Sequence, residues 1–130
     1  MDVNNNTFVL LVNLGSPKEL DKKSVREYLK SFLSDDLVVD IPKFFQQIIL
    51  HAFILPFRPG KTLHAYKQIW TKEGSPLIVS TKKIAKKLSN KTNWRVEVAM
   101  RYEEPSIKNA LKSLKEEGCN KLFVVPLYPH

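Results

Sequence analysis

The chain is expected to be an α/β protein, a parallel sheet flanked by helices, and three observations predict this. Phe8 to Val12 is a continuous apolar run, suited to a strand buried on both faces. The run stops at a polar turn, Asn13 to Pro17, which contains glycine and proline. Trp94 to Val125 reads strand, helix, strand: a βαβ unit whose strands are parallel and whose crossover is right-handed in nearly every known case.

At the carboxyl end of the first strand the chain turns out where open α/β sheets place their ligands, so Leu14 to Pro17 is read as one wall of a crevice. Next, Val25, Tyr28, Leu29, Phe32 and Leu33 form the stripe of an amphipathic helix, with Asp21 or Ser24 at its start. Leu37-Val38-Val39 reads as a short extended piece that ends at Ile41-Pro42. From Ile41, apolar residues keep helical spacing through Phe53, yet Leu50, Ile54 and Leu55 fall off that stripe. So greasy a segment either packs under another part of the chain or forms an exposed lip over residues 41–57 that meets ligand or membrane.

Leu63, Tyr66, Ile69 and Trp70 predict a further short helix, which Gly74 breaks. Ser75 and Pro76 then suit the cap and first position of the next helix, whose inner face is Leu77, Thr81, Ile84, Ala85 and Leu88. Ser75 serves as a plain cap, or its free amides hold a carboxylate or phosphate. Trp94 to Met100 alternates, as a strand near an edge does. A helix with Ile107, Ala110, Leu111 and Leu114 inward follows, closed by Gly118. Leu122 to Val125 is continuous and is therefore expected to be central. If all three strands are parallel, Leu14-Gly15-Ser16, Arg101-Tyr102 and Tyr128-Pro129-His130 emerge at one edge. A domain of this class normally adds another helix after such a strand, so the chain is expected to be the front of a longer protein.

With 130 residues, the chain is long enough to bury a core as one domain, 1–130. Its 43% hydrophobic and 26% charged content excludes a disordered chain. Cys119 is the only cysteine, so no internal disulfide forms. The first six residues lack a secretory pattern, which predicts a cytoplasmic protein, and no apolar stretch is long enough to span a bilayer. The net charge of +8 comes entirely from residues 61–130, which hold fourteen Lys/Arg against six Asp/Glu. That suits an anionic ligand. Lys82, Lys83, Lys86, Lys87 and Lys91 lie on one helix face without interleaved aromatics, so a solvated face is preferred to a nucleic-acid interface.

Dinucleotide, P-loop and hydrolase motifs are absent, and His51, His64 and His130 have no histidine partner at metal-binding spacing. Arg101, at the end of a parallel strand, meets either a ligand anion or Glu103 or Glu104.

Six blocks in order carry a specific resemblance: LLVNLGSP at 10–17, VREYLKSFLSDDLVVDIP at 25–42, ILPFRP at 54–59, YKQIWTKEGSPL at 66–77, AMRYEEPSI at 99–107 and VVPLYP at 124–129. The sequence resembles the N-terminal part of the ferrochelatase family, and most closely the bacterial protoporphyrin type. That family inserts ferrous iron into a porphyrin to make haem, so the resemblance implies a lyase whose substrates are porphyrin and Fe²⁺. It also implies the first of two similar Rossmann-like lobes, with porphyrin held between them.

By the same resemblance Leu14 faces the macrocycle, and Arg101 and Tyr102 stand beside its centre. Arg58, Tyr66 and Ser75 engage the propionates, and segment 41–57 forms a lip that meets the membrane in some members. Glu103-Glu104 and His130 depart from the commonest family residues, and His130 is at most a weak candidate metal ligand. The family's catalytic histidine and its acidic partner fall beyond residue 130, so this stretch alone is expected to carry no catalytic group and little or no activity. The resemblance requires no cofactor in this stretch and leaves open an iron–sulfur cluster, which some members place near the C-terminus. The different-class alternative is a non-catalytic module that binds a tetrapyrrole or another anion. Self-association of the lobe is a further expectation.

Overall fold

The middle of the sheet is β1, Phe8–Gly15, in a computed structural model that describes residues 7–128. β2 (Arg95–Tyr102) and β3 (Leu122–Pro126) pair with it in parallel, giving the order β2-β1-β3 among the described residues. Successive β1 side chains point to opposite faces, and both faces are covered. Val9 and Leu11 pack with Val98, Met100 and Ala85 of α4 (Pro76–Thr92), while Leu10 and Val12 pack with Ala99 and with Ala110 and Leu114 of α5 (Ile107–Glu116). Two apolar faces require an unbroken apolar sequence, which is why β1 does not alternate.

β3 does not take the central place its sequence suggests. It lies at an edge, and Phe123, Val124 and Val125 are exposed, Val124 to 56%. A continuous apolar run specifies two apolar faces but not which strand lies alongside; the middle position belongs to β1. β2 occupies the opposite edge, as its alternation predicts, and presents Trp94, Val96, Val98 and Met100 to one cluster.

α5 is capped by Ser106, whose hydroxyl accepts from Asn109 N–H, and it ends with Cys119 N–H on Leu114 C=O and Gly118 N–H on Lys115 C=O, a Schellman closure. Two expected inward residues face out, Ile84 of α4 and Leu111 of α5. Each lies at the margin of its stripe, beyond the width that the sheet covers.

The structure groups into two compact units: residues through Gly15 together with those from Leu77 onward, and residues 16–76. The second unit contains α1 (Lys22–Leu33), α2 (Lys43–Ile49) and α3 (Arg58–Ile69). Asp21 caps α1 by accepting Ser24 N–H at 2.7 Å, which holds its carboxyl below the ordinary 3.8. Val25 and Leu29 are buried, as the α1 stripe requires. Residues 35–39 form turns rather than an extended piece, because the Asp35 side chain accepts Leu37 N–H and its carbonyl accepts from Val38 and Val39.

Of the two alternatives for segment 41–57, α2 takes the exposed one: its apolar stripe points outward. Phe44, Phe45, Ile48, Ile49 and Phe53 are exposed, Phe44 to 72%, whereas Leu50 is 1% exposed and Leu55 is also buried. The cause is local. α2 runs into a π-helical turn, Leu50–Ile54, closed by Leu55 N–H on Leu50 C=O, and that wider turn brings the residues five apart to one side. Leu50 and Leu55 join Val25 and Leu29 in the core of this unit, with Leu63 and Tyr66 of α3 packed against them.

Candidate functional site

The strand register places three chain exits of the first unit at one edge. Gly15 pairs with Tyr102, Val12 pairs with Pro126, and Leu127 N–H extends the ladder to Val12 C=O at 2.8 Å. Leu14, Arg101, Tyr102 and Tyr128 therefore leave the sheet together at its carboxyl ends, where ligands of open α/β sheets bind. The expected neighbours Pro129 and His130 lie outside the described residues.

This edge is built tightly. Gly15 has φ +127°, and a Cβ there would overlap the Tyr102 carbonyl oxygen. Only glycine lets β1 lie so close to the end of β2. Beside it, the Asn13 side chain accepts Leu14 N–H at 2.8 Å and donates to Thr81 Oγ1 at 3.2 Å, while the Thr81 hydroxyl donates to Leu77 C=O at 2.7 Å. Asn13 and Thr81 thus fix the backbone at Leu14, a role that sequence reasoning missed. The available signal was a threonine, 1% exposed, within the apolar stripe of α4.

Arg101 is exposed and Tyr102 is buried. Arg101 Nε donates to Tyr102 Oη at 2.9 Å, and its guanidinium carbon lies 5.5 Å from that ring's centroid. Glu104 instead accepts Ser106 N–H at 2.9 Å, and Met100 N–H reaches Pro105 C=O at 2.7 Å, so the chain folds back immediately after β2.

The other expected residues belong to the second unit. Arg58 is exposed at the start of α3, and Tyr66 lies half-buried farther along it, edge-on to Trp70 at 6.0 Å. Burial pushes the Tyr66 phenol above its ordinary 10.0, with the Ser16 and Tyr28 hydroxyls opposing the rise. The Ser16 contact falls short of a formed hydrogen bond, since Ser16 Oγ has no partner in bonding geometry.

Ser75 follows a turn closed by reciprocal Thr71 and Gly74 hydrogen bonds and is 4% exposed. Its Oγ also has no partner, so the expected side-chain cap is not made. An unpaired hydroxyl at such burial costs about 1–3 kcal/mol.

A groove of about 580 Å³ runs along α2, lined by Lys43, Phe44, Gln47, Ile48, His51 and Ala52. Among the described residues no helix is long and apolar enough to cross a membrane, and no three His, Cys, Asp or Glu side chains are placed to hold a metal ion.

The family model Ferrochelatase matches residues 6–130. Proteins named ferrochelatase from Coxiella burnetii (strain RSA 493 / Nine Mile phase I) and Francisella tularensis subsp. holarctica (strain LVS) are each 44% identical over 128 residues, which are 97% and 96% of this chain. The Neisseria gonorrhoeae (strain ATCC 700825 / FA 1090) ferrochelatase is 48% identical over 126 residues, 96% of this chain. The chain spans 36%, 38% and 38% of the length of these three relatives. With a family match across nearly its whole length, the chain belongs to the ferrochelatase family.

Proposed function

We propose that this chain forms one wall of the porphyrin cleft in an enzyme that inserts ferrous iron into protoporphyrin IX. The observation that carries this reading is the common exit of β1 and β2, in a chain of this family, with Leu14, Arg101 and Tyr102 at that edge. Leu14 faces the macrocycle, and the Arg101–Tyr102 pair stands beside its centre. In the second unit, Arg58 supplies positive charge, Tyr66 a neutral phenol donor and Ser75 an unpaired hydroxyl, three groups suited to carboxylates.

These residues bind and orient the ring, and binding energy spent on distorting it exposes the pyrrole nitrogens to the metal. Removal of the pyrrole protons and delivery of iron belong to a histidine and an acidic partner outside the described residues, so these residues alone are inactive. The exposed apolar side chains of segment 41–57 rest on a membrane surface: Phe44, Phe53 and Phe57 supply apolar contact, and Lys43 stands at the rim.

Titration with protoporphyrin IX, followed by porphyrin absorbance and tryptophan quenching, tests the reading. Saturable binding weakened by Arg58→Ala and by Tyr66→Phe is expected. Failure of the full gene product to bind protoporphyrin would overturn it.

A further inference from the structure

The β1 ladder changes character at Leu14. Thr7 C=O accepts from Arg95 N–H of β2, and Val12 C=O accepts from Leu127 N–H just past β3, so odd positions of β1 serve β2 and even positions serve β3. Leu14 N–H is the next donor on the β3 side, yet it goes to the Asn13 side chain at 2.8 Å. Asn13 thus ends the β1–β3 ladder by putting its own oxygen where a strand carbonyl would accept. On the β2 side, Gly15 still pairs with Tyr102.

The orientation of the Asn13 amide is dictated from α4. Leu77 C=O can only accept, so the Thr81 hydroxyl gives it its single proton at 2.7 Å and keeps only lone pairs for Asn13. Asn13 Nδ2 donates to them at 3.2 Å, which leaves Oδ1 facing Leu14 N–H. With Thr81 1% exposed, water does not compete for its hydroxyl. Three linked hydrogen bonds therefore set one geometry at Leu14, the residue assigned to the macrocycle.

We propose that Asn13 and Thr81 are positioning residues that hold Leu14 as a fixed point against which the porphyrin bends. The inference rests on the porphyrin reading and deepens it, adding to the residues that touch the ring a pair that acts through Leu14. A ring bends only against a contact that does not yield, and a displacement of about 1 Å at such a contact costs rate. Released from Asn13, Leu14 gives way under the ring. Binding of the planar ring then survives, while the strained ring loses its support.

The test uses the full gene product with protoporphyrin IX and with N-methylprotoporphyrin, whose substituted nitrogen bends the ring out of plane. The wild type is expected to bind the bent ring more tightly. Asn13→Ala and Thr81→Val should each reduce that preference roughly fivefold, the worth of one hydrogen bond, with little change for the planar ring. Amide hydrogen exchange at Leu14 should quicken in the same two variants. Thr81→Ser, which keeps the hydroxyl, should restore both. If Asn13→Ala fails to fold, Thr81→Val, which conserves shape, carries the comparison.

An unchanged preference in folded variants whose Leu14 exchange has quickened would overturn the proposal and leave Asn13 and Thr81 as strand-end hydrogen bonds only. Unchanged exchange at Leu14 would overturn it as well. Equal binding of the two rings by the wild type would also overturn it, while macrocycle binding stood. Binding of neither would sink the porphyrin reading itself.

Discussion

Gly15→Ala tests whether the crevice edge depends on close backbone approach. At φ +127° an alanine meets backbone strain of about 1–3 kcal/mol. Its Cβ would also overlap the Tyr102 carbonyl oxygen and stand 3.1 Å from the carbonyl carbon. Backbone in a paired sheet cannot rotate aside as a side chain can, so the ends of β1 and β2 must separate and lose one or two ladder bonds, each worth about 1 kcal/mol. The combined loss is about 2–5 kcal/mol, a large share of the 5–15 typical of a domain.

Gly74 separates the two causes. Its φ is +118°, but a Cβ there meets nothing within 4 Å, so Gly74→Ala carries that strain of about 1–3 kcal/mol alone. Gly60, inside α3 with open space around it, should gain about 0.5–1 kcal/mol on becoming alanine. Urea unfolding reads these changes through the two tryptophans, Trp94 in a Trp70→Phe background and Trp70 in a Trp94→Phe background. For Gly15→Ala the midpoint should fall by roughly 2 M. A loss for Gly15→Ala no larger than for Gly74→Ala would refute the crowding argument.

Thr81→Val leaves the Asn13 amide unpaired and Leu14 less fixed, and should cost about 1–2 kcal/mol in urea unfolding. Raised pH should ionise the Tyr66 phenol. Because its folded value lies above 10.0, its contribution to stability is complete below pH 10.0 and is lost as pH rises from there through the folded value, a dependence that Tyr66→Phe should remove from alkaline unfolding curves. Asp21 behaves oppositely: its contribution is present above the ordinary 3.8 and disappears as pH falls through the lower folded value. Asp21→Asn, which keeps a capping side chain, should flatten that part of the acid unfolding profile. Phe44→Ser with Phe53→Ser should abolish most binding to anionic vesicles in a sedimentation assay, since each exposed ring offers about 1.5–3 kcal/mol of apolar transfer.

The contrast between β1 and α2 shows which parts of the site were legible in the sequence. Phe8 to Val12 could be placed because a strand has only two faces, and an apolar residue at every position requires both to be covered. The parallel βαβ geometry then carried Leu14, Arg101 and Tyr102 to one edge, where the register puts them. α2 offered no such closure. Its stripe from Phe44 to Phe53 has helical period, but period fixes only that the residues share a side; whether that side meets the core depends on what lies opposite. Gln46 and Leu50 hold the inner side, with the Gln46 amide reaching Val39 C=O at 3.4 Å, and the π-turn brings Leu55 in after them. A polar residue at an inner position and a single wider turn reverse the orientation without altering the pattern. β3 failed for a related reason, since Leu122 to Val125 reads alike at the centre and at an edge. Ser16 and Ser75 were legible as turn and cap residues, yet an unpaired hydroxyl is a property of surroundings, and only packing revealed it. The residues whose placement was hardest to read are therefore those that present unsatisfied or uncovered groups, because that state is set by what lies opposite them and not by their own pattern.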